Sequence, residues 1–135
     1  MKPSDLIRAR NEAFQTGDFG LIYDSYHSES NFCRQFPDRE EYISLGKTTL
    51  AQDYQIKQCQ IVVEAIADNE ARVIFLMDMV VNGAVQQYAE LSWFLKEGGR
   101  WYYLRGLKMP AEDLPENPET LEFRDFDRLD PNTIF

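Results

Sequence analysis

The sequence predicts an α+β fold in which N-terminal helices pack on a curved four-stranded antiparallel sheet. Three observations point there. Between residues 4 and 50 the apolar residues recur at helical spacing, as in Leu6, Ile7, Ala13 and Phe14, with Arg10 on the same stripe. From Tyr54 onward the period falls to two, in four long runs rich in β-branched and aromatic residues. The breaks between those runs are short and carry Gly, Asn and Asp, the chemistry of hairpin turns, so the strands follow one another as a meander.

The elements follow in order. Ser4 is the N-cap candidate of the first helix, and Gly17 stops it. Asp18 caps a short second helix carrying Phe19, Leu21, Ile22, Tyr23 and Tyr26. The polar stretch Ser28 to Pro37 reads as a loop. Asp38 then caps a third helix, with Glu40 and Glu41 in the first turn, where they favour the helix dipole, and Tyr42, Ile43, Leu45 and Leu50 as apolar positions. Gly46 interrupts it.

The strands are expected over Tyr54 to Ala67, Ala71 to Asn82, Val85 to Lys96 and Arg100 to Met109. Val73, Phe75, Met77, Met79 and Val81 alternate cleanly, as do Ala89, Leu91, Trp93 and Leu95, and those faces are expected to meet the helices. On the first strand Tyr54 and Ile56 have the parity opposite to Cys59, Ile61 and Val63, so a bulge near Gln58–Gln60 is expected. The other face keeps Ile74, Leu76, Val80, Tyr88 and Phe94, interrupted by Asp78, Glu90, Ser92 and Lys96. A half-apolar outer face needs a cover, either a second copy of the chain or its own C-terminal tail.

That tail sets the domain organisation: residues 1–109 form the α+β domain and 110–135 a distinct arm. The arm holds eight acids and two arginines and four of the six prolines: Pro110, Pro115, Pro118 and Pro131. It also carries Leu121, Phe123, Phe126, Leu129, Ile134 and Phe135, too many apolar residues for a purely solvating tail. A docked, irregular arm is expected, with a short helix around Pro118 to Phe126.

Composition excludes several functions. The chain has 135 residues, one domain's worth, and a formal charge of −9. That balance repels nucleic-acid backbones and anionic lipid surfaces, so neither is expected as a partner. No apolar run approaches the roughly 20 residues that span a bilayer, and the N-terminus has no signal-peptide pattern, so a soluble, cytoplasmic protein is expected. Cys33, Cys59 and His27 show no metal-ligand spacing, which predicts ordinary thiols, no metal and no cofactor. Gly98-Gly99 is a hairpin turn, and no phosphate loop or nucleophile elbow is present.

Local strings go further. Leu6-Ile7-Arg8-Ala9-Arg10-Asn11-Glu12-Ala13-Phe14, then Gly17-Asp18 and Ser25-Tyr26-His27-Ser28, and finally Gly98-Gly99-Arg100-Trp101-Tyr102-Tyr103-Leu104-Arg105-Gly106, resemble the middle domain of YchJ-type proteins. The resemblance covers roughly residues 4 to 108 and implies a nuclear-transport-factor-2-like, cystatin-like cone. Asn11 stands where that family has Tyr, Tyr26 where it has Trp, Ser28 where it has Pro and Arg105 where it has Asp. The SEC-C zinc motifs that often flank such domains are absent from this chain, so no zinc-dependent role is carried over. What the resemblance implies is a fold, without a defined activity.

Candidate chemistry centres on the second helix. Asp24 and His27 are three residues apart, so Asp24 can orient the imidazole, His27 can act as base and Tyr103 in the cone as electrophile. A lone histidine near a helix end also commonly caps backbone carbonyls. Asp78 and Glu90 are mid-strand acids that parity assigns to the outer face, solvated or paired with Arg72 or Lys96. Arg8 and Arg10 cannot share one helix face; one is solvated and the other reaches an acid or an anionic ligand. Trp93, Trp101, Tyr102 and Tyr103 line a cavity or fill the core. The expected function is non-catalytic binding of a small molecule in the cone, or of a protein partner, by a homodimer formed through the sheet face. The alternative is a small metal-free lyase, isomerase or hydrolase using His27 with a carboxylate. A third reading docks the acidic arm into a basic groove of a partner.

Overall fold

The four runs of period two fold as β1 (Tyr54–Ala67), β2 (Glu70–Val81), β3 (Ala84–Glu97) and β4 (Arg100–Pro110) in a computed structural model that describes residues 1–129. They pair antiparallel in sequence order. Each connection is a two-residue turn with left-handed backbone: Asp68 at φ 55°, Asn82 and Gly83 at 51° and 86°, Gly98 and Gly99 at 60° and 77°. Asn, Asp and Gly tolerate that region, which is why the strand ends were readable.

The turn length also fixes which residues share a face. Val73 lies opposite Ser92, Phe75 opposite Glu90 and Met77 opposite Tyr88. The helix-facing side of β3 is therefore Tyr88, Glu90, Ser92 and Phe94, and the expected set Ala89, Leu91 and Trp93 faces outward. Alternation failed here because both faces are buried, so apolarity does not say which one meets the helices.

β1 slips phase twice, at Lys57 and at Val62. The first bulge is one residue before the expected place. The second turns Val63 outward and brings Glu64 to the helix side, opposite Val73. β4 carries a third irregularity at Leu104.

Helix α1 (Pro3–Thr16) ends at Gly17, whose φ of 82° is the left-handed cap. It starts one residue before the expected cap. Ser4 instead lies inside the first turn and donates its amide to Glu64 Oε2 at 2.8 Å, so a strand residue does the capping. α2 (Phe19–Asp24) is capped by Asp18, which accepts from the Leu21 amide at 3.1 Å. The segment read as a loop holds a one-turn helix, α3 (Asn31–Gln35), because Ser30 Oγ accepts from the Cys33 amide. α4 (Arg39–Leu45) begins at Asp38 as expected, then widens into a π-helical turn over Gly46–Leu50 and one last turn, α5 (Ala51–Asp53). Gly46 is required by packing: a Cβ there would enter the Phe19 ring.

Leu6 and Ile7 of α1 pack on Val73, Phe75, Met77, Phe94 and Trp101 to form the main core. On the outer face, Ile74, Leu76, Leu91, Leu107 and Met109 are covered by Leu121 and Phe126 of the arm, which runs through short 3-10 turns at Pro118–Thr120 and Phe123–Phe126. The arm thus covers its own sheet, and at those positions it stands where the expected homodimer would place a second copy. Pro131, Ile134 and Phe135, counted above with the arm, lie outside the described residues. Among the described residues no helix is long and apolar enough to cross a membrane.

Candidate functional site

The helix side of the sheet carries a buried polar network. Glu90 on β3 is only 6% exposed, and its Oε2 accepts from Ser92 Oγ at 2.5 Å and from the Tyr103 hydroxyl at 2.8 Å. Room for this arrangement comes from Gly106 on β4, opposite Ser92: a Cβ there would overlap the Tyr103 hydroxyl and lie 2.6 Å from Glu90 Oε2. Burial, then the Glu90 charge, holds the Tyr103 hydroxyl well above the usual tyrosine range, so it stays protonated and donates.

Arg10 of α1 closes the network from the helix side. Its guanidinium donates to Ser25 Oγ at 2.7 Å and to the Tyr26 hydroxyl at 3.3 Å, and lies 4.0 Å from the Tyr103 ring centroid and 4.6 Å from that of Tyr26. Burial disfavours its charge; the neighbouring Tyr26 and Tyr103, with Glu90, more than offset that and raise its pKa. The expected acid partner is replaced by hydroxyls and ring faces. Arg8 is the solvated member of the pair: it is exposed and pairs with Asp5 at 3.2 Å.

Next to this network, at the end of the sheet, lies a cleft of about 660 Å³, whose lining includes Tyr54, Met79, Val81, Tyr88 and Lys108 on the helix side and Val85 and Gln87 from the other face. Lys108 lies opposite Glu90 across the β3–β4 ladder, and its Nζ sits 4.8 Å from the Tyr88 ring centroid. Burial pulls the Lys108 pKa down, against the raising effect of Glu90. Burial and the same carboxylate push the Tyr88 hydroxyl up.

The structure does not bring Asp24, His27 and Tyr103 together as a triad. Asp24 is held by Arg39, at 2.9 and 3.0 Å. His27 is buried beyond the end of α2, where Nδ1 accepts from the Glu29 amide at 3.1 Å and Nε2 meets Glu97 at 2.6 Å. Its amide bonds to the Tyr103 carbonyl at 2.8 Å, so His27 joins Tyr103 through backbone, while the Tyr103 hydroxyl reaches Glu90. Asp78 lies on the outer face as expected, in register with Gln58 and Gln87. Cys33 and Cys59 are free thiols: Cys33 Sγ donates to the His27 carbonyl, and burial pushes the Cys59 thiol up.

Residues 2–106 match the family described as YchJ, middle NTF2-like domain. The chain belongs to that family. A UPF0225 protein of Enterobacter sp. (strain 638) is 29% identical over 106 residues, spanning 78% of this chain and 66% of that one, so this chain corresponds to just under two-thirds of that relative's length. The solution structure of a SEC-C motif containing protein from Rhodopseudomonas palustris is similar at a TM-score of 0.63 and 22% identity, over 78% of this chain and 77% of the other. Bd1075 of Bdellovibrio bacteriovorus is similar at a TM-score of 0.57 and 15% identity, over 79% of this chain and 40% of the other. These two likenesses show the fold alone.

In this YchJ middle domain, the strings that carry the resemblance supply the interior network. Arg10 comes from the first string, Ser25 and Tyr26 from the second, and Tyr103 and Gly106 from the last. Glu90, Ser92 and Lys108 were missed as interior residues. The signal that finds them is the two-residue turn after Val81, which places even-numbered residues of β3 opposite odd-numbered residues of β2.

Proposed function

We propose that this YchJ middle domain is a non-catalytic binding domain. Its cleft takes a small molecule with an apolar body and an oxygen that accepts a hydrogen bond, placed beside the Tyr88 ring and within reach of Lys108. The observation that carries this reading is the commitment of the Glu90 carboxylate. It is buried, and Oε2 already accepts from two hydroxyls, whereas a general base needs to reach a substrate proton. The neighbouring cleft has the volume of a small-molecule site, and Val85 at its rim is 71% exposed. Burial leaves the Lys108 ammonium short of solvent, so an acceptor oxygen entering the cleft would add a hydrogen bond to the contacts that Lys108 already makes.

The test is an amide NMR titration of the full chain with 2-hexanone. Saturating shifts confined to Tyr54, Met79, Val85, Tyr88 and Lys108 are expected, and Lys108→Ala should weaken them by about tenfold, a loss of about 1.4 kcal/mol. Shifts that spread over other surfaces, or that never saturate, contradict the reading. The second reading, a metal-free lyase, isomerase or hydrolase, is favoured by one contact, the hydrogen bond between Tyr103 and Glu90. It would use that pair as its acid and base in place of His27 with Asp24.

A further inference from the structure

The outer face carries a second polar feature beyond the edge of the arm. Ala65, Arg72, Trp93 and Arg105 are register partners from β1 to β4, so they form one row across the sheet with the tryptophan between two arginines. The arginines stand two strand spacings apart, about 10 Å between backbones. Arg105 lies with its guanidinium 4.1 Å from the Trp93 ring centroid, which brings its charge over the central strand. Arg72 lies 4.2 Å from the ring centroid of Phe123, the arm residue at the border of the covered region.

Stacking uses the flat face of a guanidinium and leaves the N–H groups at its edge. Among the described residues, neither arginine makes an ion pair or a hydrogen bond through those groups. In a chain with 23 acids and 14 basic residues, two adjacent arginines without a carboxylate are out of keeping with the charge balance. The row opens into a groove of about 460 Å³, lined by Ala65, Ala67, Leu95 and Leu104 as well as by Arg72, Trp93 and Arg105. Glu70 lines the same groove, two residues from Arg72 on the same face. That carboxylate gives the groove a polarity, with an anion favoured at the arginine end only.

We propose that Arg72 and Arg105, flanking Trp93, bind the oxyanion of a small carboxylate- or phosphate-bearing ligand whose uncharged apolar body lies on Leu95 and Leu104. Arginine forks pair with either oxyanion through two parallel hydrogen bonds, and the apolar strip supplies the remaining contact. The site lies on the sheet face opposite Tyr88 and Lys108, shares no lining residue with their cleft and does not depend on it.

The test titrates the full chain with benzoate and with phenyl phosphate, following the two indole N–H resonances. Trp93 should shift and saturate, and Trp101, on the helix side, should not. Arg105→Gln should raise the Kd by about tenfold or more, and Arg105→Lys, which keeps the charge but loses the fork, by less. Tighter binding of benzoate assigns the site to carboxylates, and tighter binding of phenyl phosphate to phosphomonoesters. An unmoved Trp101 resonance in each variant shows that the fold is intact. Failure of both probes to saturate below about 10 mM, or binding that Arg105→Gln leaves unchanged, overturns the proposal.

Discussion

On its helix side the sheet buries polar groups that satisfy one another; on its outer side it buries apolar side chains under an acidic arm. Glu90, Ser92 and Tyr103 hold each other, with Arg10 against the rings. Ile74, Leu91, Leu107 and Met109 meet Leu121 and Phe126 with no such specificity of partner. Hydrogen-bonded networks fix geometry but contribute modestly to net stability, whereas apolar burial contributes more and specifies less. Of the two, the arm's apolar contacts should therefore contribute more to stability than the network, and the network should do more to fix shape.

Phe126, 1% exposed, gives the largest expected effect. Phe126→Ala should cost about 3–5 kcal/mol in chemical denaturation, through lost burial and the cavity it leaves. If the cost is below about 1 kcal/mol, the arm is not part of the core. Tyr103→Phe comes next, at about 1–3 kcal/mol, because Glu90 loses one of its two hydroxyl donors. Gly106→Ala should cost a similar amount, about 1–3 kcal/mol, by forcing a methyl group against the Tyr103 hydroxyl and Glu90. The smallest effect is on the border between arm and sheet: Arg72→Gln should cost about 0.5–1 kcal/mol through its contact with Phe123. A larger loss there than at Tyr103 would reverse the contrast.

Strand boundaries were legible within a residue because left-handed turns leave Asn, Asp and Gly at fixed places, as at Asn82-Gly83. The caps at Asp18 and Asp38 were legible for the same local reason. What escaped was long-range. Ser4 looks like a cap, but Glu64, sixty residues away, satisfies that helix end. Glu90 was noticed as an acid among apolar neighbours and placed on the wrong face, since an arm that buries the outer side removes the usual polar-out signal. Tyr103 was found as a cone residue, yet its partner is Glu90 and not His27, because only register decides which hydroxyl meets which carboxylate.

The buried tyrosines also set a pH dependence. Burial raises Tyr42 to about 12, and Tyr88 and Tyr103 are raised too, Tyr103 by burial and the Glu90 charge. In the unfolded chain these hydroxyls ionise near pH 10, while in the folded chain they remain protonated. The folded pKa values lie above the unfolded ones, so their stabilising effect is complete below about pH 10 and is lost as pH rises beyond it. Thermal unfolding followed from about pH 9 to 11 should show a falling Tm over the upper half of that range.

The most direct test of a closed polar network on the helix side is an NMR titration of tyrosine ring carbons, with Tyr103 assigned by Tyr103→Phe. The Tyr103 Cζ resonance should hold its protonated position as the pH passes the free side chain's ionisation near pH 10, as long as the protein stays folded. Ionisation of Tyr103 near pH 10 in the folded protein would show that its hydroxyl is open to solvent and not held by Glu90.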